Sequence, residues 1–286
     1  MTLAALALAL IIAALLVVDF AVFARRRAPT LRESAIWSIA WLAIALAFGA
    51  ALWAVDGAQA GGEYFAGYAL ERSLSLDNVF VFAVILGYFA VPQRERPTVL
   101  AWGIALALVL RLAFIVAGAA LLDAFAPTFY VFGALLLYTA YKLARHDNRD
   151  IDPEHNPALR LMRRYAPRAT PLLAVFVVIA TTDVVFAIDS IPAIFAVTQD
   201  PFIVFAANAF AMLGLLALYF LLAGLMDRFV YLSRGLAVIL AFIGAKMLAV
   251  DVWHVPIWLS LSVIAGALAT TAVLSMRAGP RHGRTA

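Results

Sequence analysis

ERSLSLDNVFVFA at Glu71–Ala83 and DVVFAIDSIPAIF at Asp183–Phe195 are two copies of one acidic motif, each set inside an apolar run long enough to cross a bilayer. A shift of 112 residues superimposes Glu71 on Asp183, Asp77 on Asp189 and Asn78 on Ser190. A carboxylate in mid-membrane costs roughly 2.5–3.5 kcal/mol on insertion scales, so four at repeated spacing read as an ion site.

Outward from the motifs, the same character continues along the chain. Of 286 residues, 66% are hydrophobic and 13% charged. Spans need about 20 apolar residues each, and nine candidates follow: 3–24, 35–55, 64–90, 98–122, 127–144, 170–199, 202–225, 234–251 and 256–276. The fold expected is all-α, a polytopic transmembrane helical bundle of about nine spans.

A net charge of +4 invites a nucleic-acid reading, but the basic residues sort by loop instead. They collect at Arg25–Arg27 and Arg32, at Arg94 and Arg96, between Lys142 and Arg168, at Arg228 and Arg234, and in the tail at Arg277, Arg281 and Arg284. The alternate loops carry Asp56, Glu63, Asp123, Asp200 and Asp251. The positive-inside rule then places the N-terminus outside and the C-terminus in the cytoplasm; the membrane expected is the bacterial inner membrane. Lipid is the partner this pattern fits, and nucleic acid is not. The first span has its charges after the apolar run, which reads as a retained helix rather than a cleaved signal. With no cysteine present, disulfides and thiolate metal ligands are both excluded.

The one extended polar stretch, residues 145–169, reads as a cytoplasmic linker between five spans and four within a single transmembrane domain. Three crossings separate the motif-bearing spans three and six, which therefore run in opposite directions. That is the signature of an inverted-repeat core, whose halves meet near the midplane in many secondary transporters.

At about 1.5 Å rise per residue, the acids of the two copies interleave in depth and form a ladder suited to a moving cation. Residues six apart on a straight helix point about 120° apart, so the two acids of one copy share an ion only if the helix breaks. Pro192 is the candidate for such a break. Pairing across the repeat, as between Asp77 and Asp189, needs none and is the expected geometry.

The ligand set is Asp77, Asp183 and Asp189, with Glu71, Asn78 and Ser190 beside them and Asp19 from span one. Hard oxygen donors favour Mg, Ca or Mn over Cu or Zn. His146, His155, His254 and His282 fall in loops or the tail, so an imidazole site is not expected. Arg72, Arg111 and Lys246 are the basic residues inside spans. Set against Asp19, Glu71, Asp77, Asp183 and Asp189, they leave two negative charges in excess, which a divalent cation would neutralise. Arg111 is too deep to reach solvent and calls for an internal partner such as Asp77 or Asp189. Arg72 and Lys246 lie where they can snorkel. Thr198 and Asn208 read as helix-to-helix hydrogen bonds, Gly214 and Gly244 as close-packing positions, and Tyr64 as an interfacial anchor. The acids can also take up protons when a metal leaves, which would couple transport to the proton gradient.

These motifs resemble the TerC family of integral membrane proteins, which includes the Alx-type manganese exporters. The resemblance rests on Glu71–Phe82, on TTDVVFAIDSIPAIFAVTQDPFIVFAANAFAMLGLLALYFLL at Thr181–Leu222, and on RGLAVILAFIGAKML at Arg234–Leu248. It implies export of divalent metal, manganese above all, an association with tellurite resistance, and functional acids at Glu71, Asp77, Asp183, Asp189 and Asp19, with Asn78. Where relatives usually carry a basic residue in the LGLxxLYF stretch, this chain has Leu216. Tellurite itself is a poor cargo for an acidic path.

The function expected is therefore transport of a divalent cation, manganese first, with no enzyme activity and no resident cofactor. Asp77, Asp183 and Asp189 would bind the ion, Glu71 and Asp19 would relay ion or proton, and Asn78 and Ser190 would add neutral oxygens. The alternatives are a non-transporting membrane scaffold in tellurite, pH or redox stress, and a passive cation channel.

Overall fold

A computed structural model describes residues 3–23, 29–125, 127–145, 159–161, 171–222, 231–249, 251–252 and 255–278. Nine helices and no strand occur among them: α1 (Leu3–Phe23), α2 (Leu31–Tyr88), α3 (Arg96–Ala124), α4 (Thr128–Arg145), α5 (Pro171–Phe195), α6 (Pro201–Met212), α7 (Leu215–Leu222), α8 (Leu232–Leu248) and α9 (Ile257–Ala278). Helices and crossings do not correspond one to one. α2 has two arms joined at Gly57, and α6 with α7 falls in one apolar stretch, so a helix, a helix arm or a helix pair lies in each of the nine expected spans.

The double crossing turns on one residue. Gly57 has φ 93° and ψ 175°, a conformation that L side chains avoid, and the chain reverses there without the loop expected at 56–63. Gly61 packs on Trp53, Gly49 packs on Phe65 and Tyr64, and the Tyr64 hydroxyl donates to the Ala45 carbonyl at 3.0 Å. The glycine contacts thus pair residues four and eight positions before and after Gly57, as an antiparallel hairpin requires, and the long Tyr64 side chain reaches further along the first arm. Tyr64 is fully buried in this seam rather than at an interface.

Helix ends follow local chemistry. Thr30 and Glu33 form a capping box at the start of α2, with Glu33 N to Thr30 Oγ1 at 3.3 Å and Thr30 N to Glu33 Oε2 at 2.9 Å. Asp200 caps α6 by accepting from Phe202 N at 2.8 Å, and Pro201 follows at the first helical position. α4 and α8 pack closely where Gly133 and Gly244 face each other's carbonyls, the role expected for Gly244.

α6 and α7 form the central crossing, almost wholly buried, whereas α1, α3, α9 and the first arm of α2 expose many large apolar side chains on their outer faces. Such a gradient suits lipid outside and protein within. Five stretches are long and apolar enough to cross a membrane on length and composition alone: Leu31–Tyr88, Arg96–Ala124, Leu172–Phe195, Pro201–Leu222 and Ile257–Ser275. Of the polar stretch 145–169, only its first residue and 159–161 are described, and Leu159 is buried in the main apolar cluster.

Candidate functional site

The second arm of α2 and α5 carry the two motif copies and run antiparallel. Thr198 donates to Glu63 at 2.5 Å, Gly67 packs on Ile194, and Glu71 and Ser190 meet at the Arg111 guanidinium. Residue numbers rise on one helix and fall by equal steps on the other. Continuing this register two turns inward sets Asn78 opposite Asp183, the repeat-related counterpart of Glu71 opposite Ser190. Glu71 thus lies across from Ser190 at Arg111, and the two motif-bearing helices run antiparallel, as the inverted repeat expected from sequence requires.

Arg111 joins the two copies. It sits near the middle of α3, about 20 Å from either end at 1.5 Å per residue, and is fully buried. Its Nη1 pairs with Glu71 Oε1 and lies 3.4 Å from Ser190 Oγ. On the other side, Nε and Nη2 approach Asp183 Oδ1 at 3.4 and 3.3 Å. Glu71 and Asp183 are themselves fully buried. The internal partner expected for Arg111 is present, and among the described side chains it is the Glu71–Asp183 pair rather than Asp189. The Asp77 side chain lies outside the described residues, and so does the pairing expected for it with Asp189.

Asp189 faces elsewhere, as six-residue spacing on an unbroken helix requires. Its Oδ1 accepts from Thr139 Oγ1 of α4 at 2.8 Å, and Lys142 adds positive charge from the same helix. α5 passes through Pro192 and ends only at Phe195, so the candidate break there is not used, in keeping with the unbroken geometry expected.

The break occurs instead in the central crossing. Leu213 is extended, with φ −60° and ψ 132°, and Gly214 has φ 77°. A Cβ on Gly214 would sit 2.6 Å from the Trp41 ring, so the position requires glycine for both backbone and space. Ending a helix inside a membrane strands backbone carbonyls. Arg72 binds them, with Nη1 2.9 Å from Ala211 O and 3.5 Å from Leu213 O. Arg72 therefore neither snorkels nor pairs with an acid among the described residues. Lys246 also turns inward, bonding Ser260 at 3.2 Å.

Several buried oxygens near these groups have no hydrogen-bond partner among the described residues: Glu71 Oε2, Ser75 Oγ and Asn78 Oδ1 on α2, Asn208 Oδ1 on α6, and Asp19 Oδ1 on α1. The first three recur at i, i+4 and i+7, which is one helical face. Asn208 thus departs from the helix-to-helix bond expected of it, whereas Thr198 makes one. Asp19 lies beside Trp41, the residue that packs on Gly214. Leu216, at the position where the resemblance implies a basic residue, is fully buried in the apolar cluster just after the break. Among the described residues no three His, Asp or Glu side chains converge to enclose a metal, and His146, His155, His254 and His282 lie outside that set. A cavity of about 470 Å³ lies on the other face of α2, lined by Phe65, Tyr68, Arg72, Ser73 and Leu76 and by Leu268 of α9. It is largely apolar, and none of its described lining residues is an acid.

Sequence reasoning missed the Gly214 break and the role of Arg72. A glycine within an apolar run and an arginine five residues before Asp77 leave no hydropathy signal for either.

Residues 56–282 match the family described as "Integral membrane protein TerC family". The chain is 42% identical over 282 residues to the "Uncharacterized membrane protein STKORF319" of Myxococcus xanthus, covering 92% of this chain and 88% of that one. It is 40% identical over 305 residues to the "Putative membrane-bound redox modulator Alx" of Escherichia coli K12, covering 96% and 95%. To the "Uncharacterized membrane protein Mb2742" of Mycobacterium bovis it is 44% identical over 261 residues, covering 83% and 66%. No solved structure matches.

Proposed function

Since the chain belongs to the TerC family of integral membrane proteins, we propose that it is a transporter that exports divalent cations, manganese first, through the interface of its inverted repeats. One observation carries this reading: Glu71 and Asp183, equivalent in the two copies, converge from opposed helices on a single positive group. The unpartnered oxygens of Glu71, Ser75 and Asn78 along one face of α2, and of Asn208 on α6, are hard donors, and hard donors select Mg, Ca or Mn over softer metals. Asp77 and Asp189 extend the acidic path, Ser190 adds an oxygen beside Glu71, and Asp19 relays ion or proton near the broken crossing. Broken helices at repeat interfaces are recurrent parts of secondary transporters.

In this reading the protein sits in the bacterial inner membrane with its N-terminus outside, and it has no enzyme activity or resident cofactor. Thiol chemistry has no side chain to act through here, so an influence on redox balance of the kind the Alx relatives' name describes, or on tellurite resistance, would follow from metal levels.

A second reading, a non-transporting scaffold, draws on the same ion pairs, because Arg111 already neutralises part of the acidic charge from within. Manganese efflux measured in cells carrying the native chain, Asp183→Asn or Asp189→Asn separates the two. Efflux from the native chain that both variants abolish supports transport. Stress resistance retained by both variants, with no efflux from the native chain, supports the scaffold.

A further inference from the structure

We infer that Arg111 is a tethered stand-in for the transported ion: its guanidinium holds Glu71 and Asp183 in the unloaded state, and an incoming divalent cation displaces it. The inference rests on the transport reading and adds how the site is emptied and refilled.

Three observations carry it. The guanidinium bridges the two repeat-related acids and Ser190 at once, the position a cation shared between opposed helices would take. It comes from α3, outside the repeat-bearing pair, so it can withdraw without separating α2 from α5. Its hold on Asp183 is also loose: the contacts of 3.3–3.5 Å exceed the usual length for charge-assisted pairs, which is about 2.7–2.9 Å. Asp183 is the partner more easily surrendered to a competitor.

Charge favours the exchange. Two carboxylates against one guanidinium leave the trio with one net negative charge, whereas a divalent ion satisfies both acids. A guanidinium can only donate, so it cannot serve Glu71 Oε2, Ser75 Oγ and Asn78 Oδ1 except as further acceptors it does not reach. A metal ion can recruit such oxygens as ligands. Arginine also stays protonated under all physiological conditions. Release of the acids is therefore a matter of displacement and not of losing a proton from Arg111. The returning guanidinium then competes the ion off again, which prevents a strongly negative site from becoming a trap.

The test uses the full chain, purified in detergent for Mn2+ titration and reconstituted in liposomes for Mn2+ flux, as native protein, Arg111→Gln and Arg111→Lys. Arg111→Gln is expected to bind Mn2+ at least tenfold more tightly than native and to transport it at least tenfold more slowly. Arg111→Lys, with a compact charge and fewer donors, is expected to fall between them in both measurements. Native flux together with unchanged or weaker Mn2+ binding in Arg111→Gln overturns the inference and leaves the transport reading standing. If Arg111→Gln does not fold, Arg111→Lys decides: binding tighter by threefold or more supports displacement, and unchanged binding overturns it. Native protein that moves none of Mn2+, Mg2+ and Ca2+ overturns the transport reading and this inference together.

Discussion

Arg72 donates to the carbonyl of Ala211 at 2.9 Å, tying the second arm of α2 to the severed end of α6. Its neighbour Glu71 is bound to Arg111 and, through it, to Asp183. Two consecutive residues thus link the acidic interface to the break in the central crossing. Displacement at one has a short mechanical route to the other.

Replacing Arg72 with Met leaves the Ala211 and Leu213 carbonyls buried without their donor. Each such loss costs about 1–3 kcal/mol. Arg72→Met is expected to unfold at a lower temperature in detergent than native protein, with Arg72→Lys intermediate because one ammonium can serve only part of the fork. Thermal unfolding followed by intrinsic fluorescence checks the order.

Gly214→Ala meets two obstacles, a positive φ of 77° and the Trp41 ring. Gly87, also in this chain, has open space for a Cβ and an ordinary φ. Gly214→Ala is therefore expected to destabilise by about 1–3 kcal/mol or more, whereas Gly87→Ala is expected to be neutral or mildly stabilising, since alanine is the better helix former by about 1 kcal/mol. Adding Trp41→Ala to Gly214→Ala relieves the clash but not the backbone strain, so recovery should be partial. Chemical denaturation midpoints of the four proteins test this.

Much of this arrangement could be read from the sequence. Apolar runs of about 20 residues and the alternation of loop charge reveal the nine crossings, because lipid enforces both. The 112-residue repeat of acids reveals the opposed helices, and the antiparallel contacts of Glu63 with Thr198 and of Gly67 with Ile194 bear that out. Other features had no pattern to betray them. Gly57 lies among residues that look like a loop, yet one left-handed glycine is enough to reverse the chain. The break at Leu213–Gly214 contains no proline and interrupts an unbroken apolar run, so hydropathy passes over it. Arg72 binds backbone carbonyls, which carry no side-chain signature. The choice of Glu71 and Asp183 as Arg111's partners depends on the register between α2, α3 and α5, which spacing within one motif cannot determine.

Thr139 fixes Asp189 through a 2.8 Å bond from its hydroxyl to Oδ1. Thr139→Val keeps the shape and removes the donor, leaving the carboxylate free to rotate. If Asp189 lies on the ion path, Mn2+ flux should show a KM raised about threefold to tenfold, the 0.5–1.5 kcal/mol typical of one hydrogen bond, with a smaller change in kcat. Concentration-dependent flux in liposomes provides the split.

The Arg111 trio makes the sharpest distinction between stability and transport. Removing one acid, as in Glu71→Gln or Asp183→Asn, takes the trio from one net negative charge to none and leaves Arg111 with a carboxylate partner. Removing Arg111 leaves two buried carboxylates facing each other with no counter-charge from α3, and breaking a buried pair in this way costs about 3–5 kcal/mol. In metal-free detergent, Glu71→Gln and Asp183→Asn should therefore unfold near the native temperature, whereas Arg111→Gln should unfold well below it. Adding Mn2+ should restore much of the Arg111→Gln loss, because the ion supplies the missing positive charge, and should do little for the two acid variants. A proton taken up by Glu71 or Asp183 would also neutralise the variant, but it would give stabilisation by acid and not by Mn2+. Unfolding temperatures of the four proteins, with and without Mn2+ at two pH values, separate these outcomes. An Arg111→Gln protein as stable as native without metal would mean that the guanidinium is not what balances the two acids.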